Sequence, residues 1–142
     1  MQVKKDNIRN TILRVAKEEF FSKGYKNTSM RIIAKKTGVG LSNIYNYFKN
    51  KDEIFIEVLS PLLTIIEQMA NEYYSEELMS LDYLTSEEYQ RVGIKTMVNL
   101  VENFRDELKL LLFHSYGSSL ENYRDEYISN VTKVGIDHLT KV

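Results

Sequence analysis

Ser42, Asn43 and Asn46 lie within one short stretch, followed by Tyr47, Lys49 and Lys51. Short hydroxyl and amide side chains gathered in this way suit the base edges of a DNA major groove, and an asparagine can pair an adenine through two hydrogen bonds at once. Lysine beside them suits phosphate, which accepts a point charge without demanding one geometry. Bond-making chemistry has no comparable set. The two histidines, His114 and His138, belong to no His-Glu-x-x-His or Glu-x-x-His arrangement, because Leu111 and Gly135 stand three residues before them. Metal catalysis is therefore not expected. No cysteine, phosphate-cradling glycine loop or serine-nucleophile motif occurs, which leaves no thiol nucleophile, thiolate zinc site or disulfide scaffold. Neither an enzyme nor a cofactor is expected. The acidic pairs Glu76-Glu77, Glu87-Glu88, Asp106-Glu107 and Asp125-Glu126 read as a solvated face.

The 142 residues carry 19 basic and 20 acidic side chains, and the net charge of -1 hides a segregation. Residues 1–55 hold 12 Lys and Arg against 5 Asp and Glu, a net of +7; residues 56–142 hold 7 against 15, a net of -8. A basic front on an acidic remainder suits a polyanion-binding module joined to a sensing or assembly module. Chance segregation of surface charge is the plainer alternative. The longest uninterrupted apolar run, Leu110 to Phe113, falls far short of the roughly 20 residues of a membrane helix. Polar residues from Gln2 to Asn10 offer no signal-peptide core. The expected setting is cytoplasmic, with no membrane partner.

One proline, scattered glycines and little two-residue alternation predict an all-α chain. Ile8, Ile12, Val15, Ala16 and Phe20 recur at helical spacing and predict a first helix from about Asn7 to Lys23, capped by Asp6 and stopped at Gly24. Thr28 and Ser29 open a short helix through Lys36, and Gly38 marks the next turn. A third helix, about Ser42 to Phe48, presents Ile44, Tyr45 and Phe48 inward and Ser42, Asn43, Asn46 and Tyr47 outward. Asn50 with Glu53 has the form of a capping box for a fourth helix from Lys51, which Pro61 should kink. Leu62 to Leu78, Ser86 to Phe104, Asp106 to Tyr116 and Glu121 to the last residue read as further helix.

Ala34, Gly38 and Ile44 have the spacing of a helix-turn-helix: a small residue where two helices meet, a glycine in the turn, and an apolar anchor under the second helix. Many helical hairpins share that triplet. The wider set is more specific: Ala16, Phe20, Gly24, Thr28-Ser29, Ile33-Ala34, Gly38-Val39, Ile44-Tyr45, Tyr47-Phe48 and Lys51-Asp52-Glu53. With these residues, the stretch from Ile12 to Phe55 resembles the DNA-binding domain of the tetracycline-repressor (TetR) family. The resemblance implies an amino-terminal three-helix helix-turn-helix domain, residues 1–50, joined by a long fourth helix to a carboxy-terminal helical bundle for ligand binding and dimerisation, residues 51–142. It implies a homodimer on a palindromic double-stranded operator, released by a small-molecule inducer. Members of the family usually close with two more helices, and this sequence stops where those would begin. Gly40 and Leu41 stand where the family commonly has a hydroxyl or carboxylate and a polar or basic residue.

On this reading Ser42, Asn43 and Asn46 meet base edges, and Leu41 can meet a thymine methyl. Thr28, Tyr47, Lys49 or Lys51, with the amide end of the fourth helix, are the candidates for holding phosphate and register, and Ser29 is a further DNA-binding candidate. Tyr45 is either a core aromatic or a phosphate contact through its hydroxyl. The acidic half is rich in tyrosine and methionine; Met97, Phe104, Phe113 and Tyr127 are candidate lining for an effector cavity, against the plainer reading of helix-bundle core. Two functions follow: a ligand-responsive transcriptional repressor, or a helical protein-interaction or carrier module whose basic end only resembles a helix-turn-helix.

Overall fold

The computed structural model describes residues 2–73 and 80–141, and the statements below concern those residues. They form seven helices and no strand: α1 (Gln2–Lys23), α2 (Met30–Thr37), α3 (Leu41–Ile44), α4 (Lys51–Tyr73), α5 (Leu81–Leu84), α6 (Glu87–Phe113) and α7 (Tyr123–Thr140). The all-α expectation holds. α1 starts five residues before the expected Asn7, so Asp6 lies inside the helix rather than capping it. The apolar stripe begins only at Ile8, and the polar turn before it carries no amphipathic signal. Gly24 ends α1 at φ +78°, a conformation that a Cβ makes costly. Ser29 caps α2 by accepting a hydrogen bond from the Ile32 amide, and Gly38 closes it at φ +72° with its N–H on the Ala34 carbonyl.

α3 is shorter than expected. After Ile44 the chain tightens: the Asn46 and Tyr47 amides bond only three residues back, to the Asn43 and Ile44 carbonyls. At the head of α4, Glu53 N–H donates to Asn50 Oδ1 at 2.8 Å, while the Glu53 carboxylate reaches the Lys49 amide rather than that of Asn50. α4 runs through Pro61 without interruption. Proline lacks the N–H that would serve the Glu57 carbonyl, and the Ser60 hydroxyl donates to that carbonyl instead, at 3.0 Å. Residues 74–78 of the expected Leu62–Leu78 helix lie outside the described residues. The two helices expected at Ser86–Phe104 and Asp106–Tyr116 are one, α6, kinked at Phe104 (φ -131°, ψ 31°). α7 begins at Tyr123 rather than Glu121.

One hydrophobic core unites the front with α4 and α6. α1 contributes Ile12, Val15, Ala16 and Phe20, α2 Ile33, and the α3 segment Ile44 and Phe48. α4 adds Ile54, Phe55, Val58, Leu59 and Leu62, and α6 adds Leu100, Leu110 and Leu111. Phe20, Tyr25 and Phe55 stack at its centre with ring centroids 4.9–6.0 Å apart. Burial of each large side chain contributes about 1.5–3 kcal/mol, so the recognition segment is fixed by Ile44 and Phe48 although its own helix is four residues long.

Candidate nucleic-acid interface

With Ile44 and Phe48 buried, Ser42, Asn43, Tyr45 and Asn46 fall on the outer side of the segment. Ser42, Asn43 and Asn46 are exposed, Leu41 is half-buried, and Lys49 is exposed. Tyr45 is 49% exposed, so it is not the core aromatic that one reading allowed; the half-buried Tyr47 packs against the core in its place. Tyr47 was expected to point outward and does so only in part. Asn46 Nδ2 donates to Asn43 Oδ1 at 3.1 Å. Two of the three candidate base-reading side chains therefore hold each other in the absence of a partner.

Two candidate phosphate contacts lie elsewhere than expected. Thr28 is 1% exposed and its hydroxyl donates to the Gly24 carbonyl at 2.9 Å, so no surface of its side chain remains for phosphate. Ser29 is exposed, with its oxygen engaged as the α2 cap. The half-buried Lys51 donates from Nζ to the carbonyls of Tyr25 and Thr28, both at 2.9 Å, and lies 4.0 Å from the centre of the Tyr25 ring. Burial holds its ammonium below its ordinary range, and burial followed by the Asp52 charge raises the Tyr25 phenol. Lys51 thus straps the turn after α1 to the head of α4.

The sequence reading missed Lys5 and Arg9. With α1 extended to Gln2, these residues and Asp6 share a surface groove of about 480 Å³ with Asn43, Asn46 and Tyr47. Arg9 pairs with Glu57 of α4 and lies 5.2 Å from the centre of the Phe48 ring. Lys5 is exposed beside the recognition segment. The signal was Lys5 with Arg9 one helical turn on, which share a face only when the helix starts before Lys5. A buried carboxylate, Glu19, joins α1 to α2: it pairs with Lys36 and lies 2.9 Å from Lys23 Nζ. Hydrogen bonds from Lys36 and then Lys23 hold its pKa below 4.5, against an opposing effect of burial.

The loop between α6 and α7 rests on this front. Tyr25 N–H donates to the His114 carbonyl at 3.0 Å, and Ser119 N–H to Asp52 Oδ1 at 2.8 Å. Gly117, at φ +91°, lies against the Tyr25 ring. At the far end of the same helices, a cavity of about 320 Å³ is lined by Met69, Ala70 and Glu72 of α4, Tyr83 of α5, Tyr89, Val92, Gly93, Thr96 and Met97 of α6, and Tyr127 and Val131 of α7. Met97 and Tyr127 fall where the sequence suggested. Phe104 and Phe113 do not line it: Phe104 packs on the core at the α6 kink, and Phe113 is 66% exposed at the end of α6. No group of three or more His, Cys, Asp and Glu suited to a metal occurs among the described residues, and no described helix is long and apolar enough to cross a membrane.

A helix-turn-helix on a basic front, backed by an acidic helical half, defines a DNA-binding transcriptional regulator. Residues 12–58 match the pattern described as "Bacterial regulatory proteins, tetR family". The HTH-type transcriptional regulator SAB2452 of Staphylococcus aureus (strain bovine RF122 / ET3-1) is 30% identical over 137 residues, which cover 90% of this chain and 72% of that protein. The uncharacterized HTH-type transcriptional regulator YhgD of Bacillus subtilis (strain 168) is 44% identical over 61 residues, 43% of this chain and 32% of that one. A third, SAUSA300_2515 of Staphylococcus aureus (strain USA300), is 29% identical over 129 residues, 86% of this chain and 68% of its own. No solved structure matches. The chain belongs to the TetR family of bacterial regulatory proteins.

Proposed function

We propose that this regulator is a cytoplasmic repressor that binds a palindromic operator as a homodimer and leaves it when a small molecule occupies the cavity between α4, α6 and α7. The observation that carries the DNA reading is the division within residues 41–48: Ile44 and Phe48 are buried, while Ser42, Asn43, Tyr45 and Asn46 are exposed beside Lys5 and Lys49. Ser42, Asn43 and Asn46 meet base edges; Lys5, Lys49 and the Tyr45 hydroxyl hold phosphates on either side. Thr28 and Lys51 act behind them, fixing the turn that carries α2.

Release follows from the ends of the lining helices. α4 lines the cavity at Met69 to Glu72 and begins at the DNA end with Lys51 and Asp52; α6 lines it at Tyr89 to Met97 and is capped by His114, whose carbonyl holds the Tyr25 amide. A ligand that spreads α4 from α6 pulls at both attachments. Two recognition segments must meet two half-sites at once, so a change of a few ångströms in their separation is enough to lose one. Selection of bound duplexes from a random pool tests the proposal: a palindromic consensus supports it, and affinity should fall with salt at a log-log slope of about -0.9 per phosphate contact. Enrichment of no sequence, with no salt dependence, would favour the interaction-module reading.

A further inference from the structure

The chemistry of the cavity lining narrows the class of effector, on the reading that this cavity is the effector site. Among its described lining residues Glu72 is the one charged group at neutral pH, and none is Lys, Arg or His. Glu72 is exposed at the last turn of α4, and no described cation pairs with it. Around it stand three tyrosines, with Tyr83 and Tyr89 in edge-to-face contact at 5.6 Å and Tyr127 on the α7 side, together with Met69 and Met97. Aromatic faces attract a cation through the ring quadrupole, methionine adapts to irregular apolar shapes, and a carboxylate supplies the opposite charge. An anionic ligand would find no counter-charge here and would meet the Glu72 carboxylate. A neutral ligand would gain nothing from that carboxylate.

We propose that the cavity selects lipophilic organic cations, aromatic or alkylated ammonium compounds, with Glu72 as the charge-selecting residue and the three tyrosines as the aromatic wall. The test uses the full chain, [methyl-¹³C]methionine labelling and three probes of similar size: trimethylphenylammonium, its neutral isostere tert-butylbenzene, and benzenesulfonate. The Met69 and Met97 methyl signals report occupancy of the cavity. The cation should bind about three- to tenfold more tightly than the isostere, as a partly solvated cation–π and ion-pair contribution gives, and benzenesulfonate more weakly than either. Glu72→Gln, at an exposed position, should remove most of the preference while leaving tert-butylbenzene unchanged.

Equal affinity for cation and isostere overturns the inference and leaves an apolar effector cavity standing. Preference retained in Glu72→Gln overturns the role of that residue. If none of the probes moves the two methyl signals, the inference fails. Binding to the selected duplex is measured on the same preparations. A protein that binds duplex but no probe keeps the DNA reading without this ligand class; one that selects the cation but binds no duplex keeps the ligand class and loses the DNA reading.

Discussion

Lys51 separates a strap from a phosphate contact, and Lys51→Met distinguishes the two. The substitution keeps an apolar stem over Tyr25 but removes the ammonium that donates to the Tyr25 and Thr28 carbonyls at 2.9 Å. A hydrogen bond to a buried charged group contributes about 1.5–3 kcal/mol. Lys51 is half-buried and part of that is returned by water, so the expected total loss is about 1–2 kcal/mol. For a chain of this size that is a fall in Tm of about 3–8 °C, readable by circular dichroism at 222 nm. Affinity for the selected duplex should fall modestly, because the turn leading to α2 loosens, while the slope of log affinity against log salt stays unchanged. An unaltered Tm together with a slope smaller by about 0.9 would refute the strap, since that is the signature of one lost phosphate contact.

Three further outcomes follow from geometry already described. Gly38→Ala should lose about 1–2 kcal/mol from its left-handed backbone alone, with open space around the new Cβ. Gly24→Ala should lose about 1 kcal/mol or more beyond that, because its Cβ would also press on the His114 Cβ at 3.3 Å; paired denaturant titrations compare them. Asn43→Ala and Asn46→Ala should each relax sequence preference, and the double variant should lose more affinity than the two single losses together, because each single change spares the remaining amide the cost of breaking the bond between them. Glu19 has its pKa lowered by folding, so the stability it contributes is present above pH 4.5 and is lost as the pH falls through the lower folded value. Thermal melts across acid pH should show that loss in the wild type and a flatter profile in Glu19→Gln.

The front of the molecule was legible because its signals are local. Ser29 caps, Gly24 and Gly38 stop helices, Asn50 with Glu53 starts one, and Ile44 with Phe48 anchors the recognition segment; each is a short-range steric or hydrogen-bonding rule acting within a few residues. What failed needed knowledge of neighbours across the fold. Lys51 reads as a phosphate contact until the Tyr25 turn is placed beside it, and so does Thr28 until Gly24 bends the chain over it. Tyr45 and Tyr47 share a spacing that leaves the choice of inner aromatic to packing. In the acidic half, α5 is four residues long and carries no periodicity to detect, and the sequence reading divided after Phe104 a helix, α6, that only kinks there. There the Asn103 side chain donates to the Asn99 carbonyl one turn back, entering the hydrogen-bond ladder just before Phe104. Met97 and Tyr127 reached the cavity, and Phe104 and Phe113 did not, because the kink at Phe104 sets which face of α6 meets α4 and α7.

The proline in α4 gives that helix a joint as well as a length. Between Glu57 and Pro61 the rod is held by a hydroxyl from Ser60 in place of a main-chain donor, and bending strain concentrates where the regular ladder is interrupted. Glu57 also carries the ion pair to Arg9 of α1, so the turn before the proline is the one tied to the first helix. A sideways load applied near Glu72 would meet this turn before it reached Asp52, so the pair of Glu57 with Arg9 stands between the cavity and the head of α4.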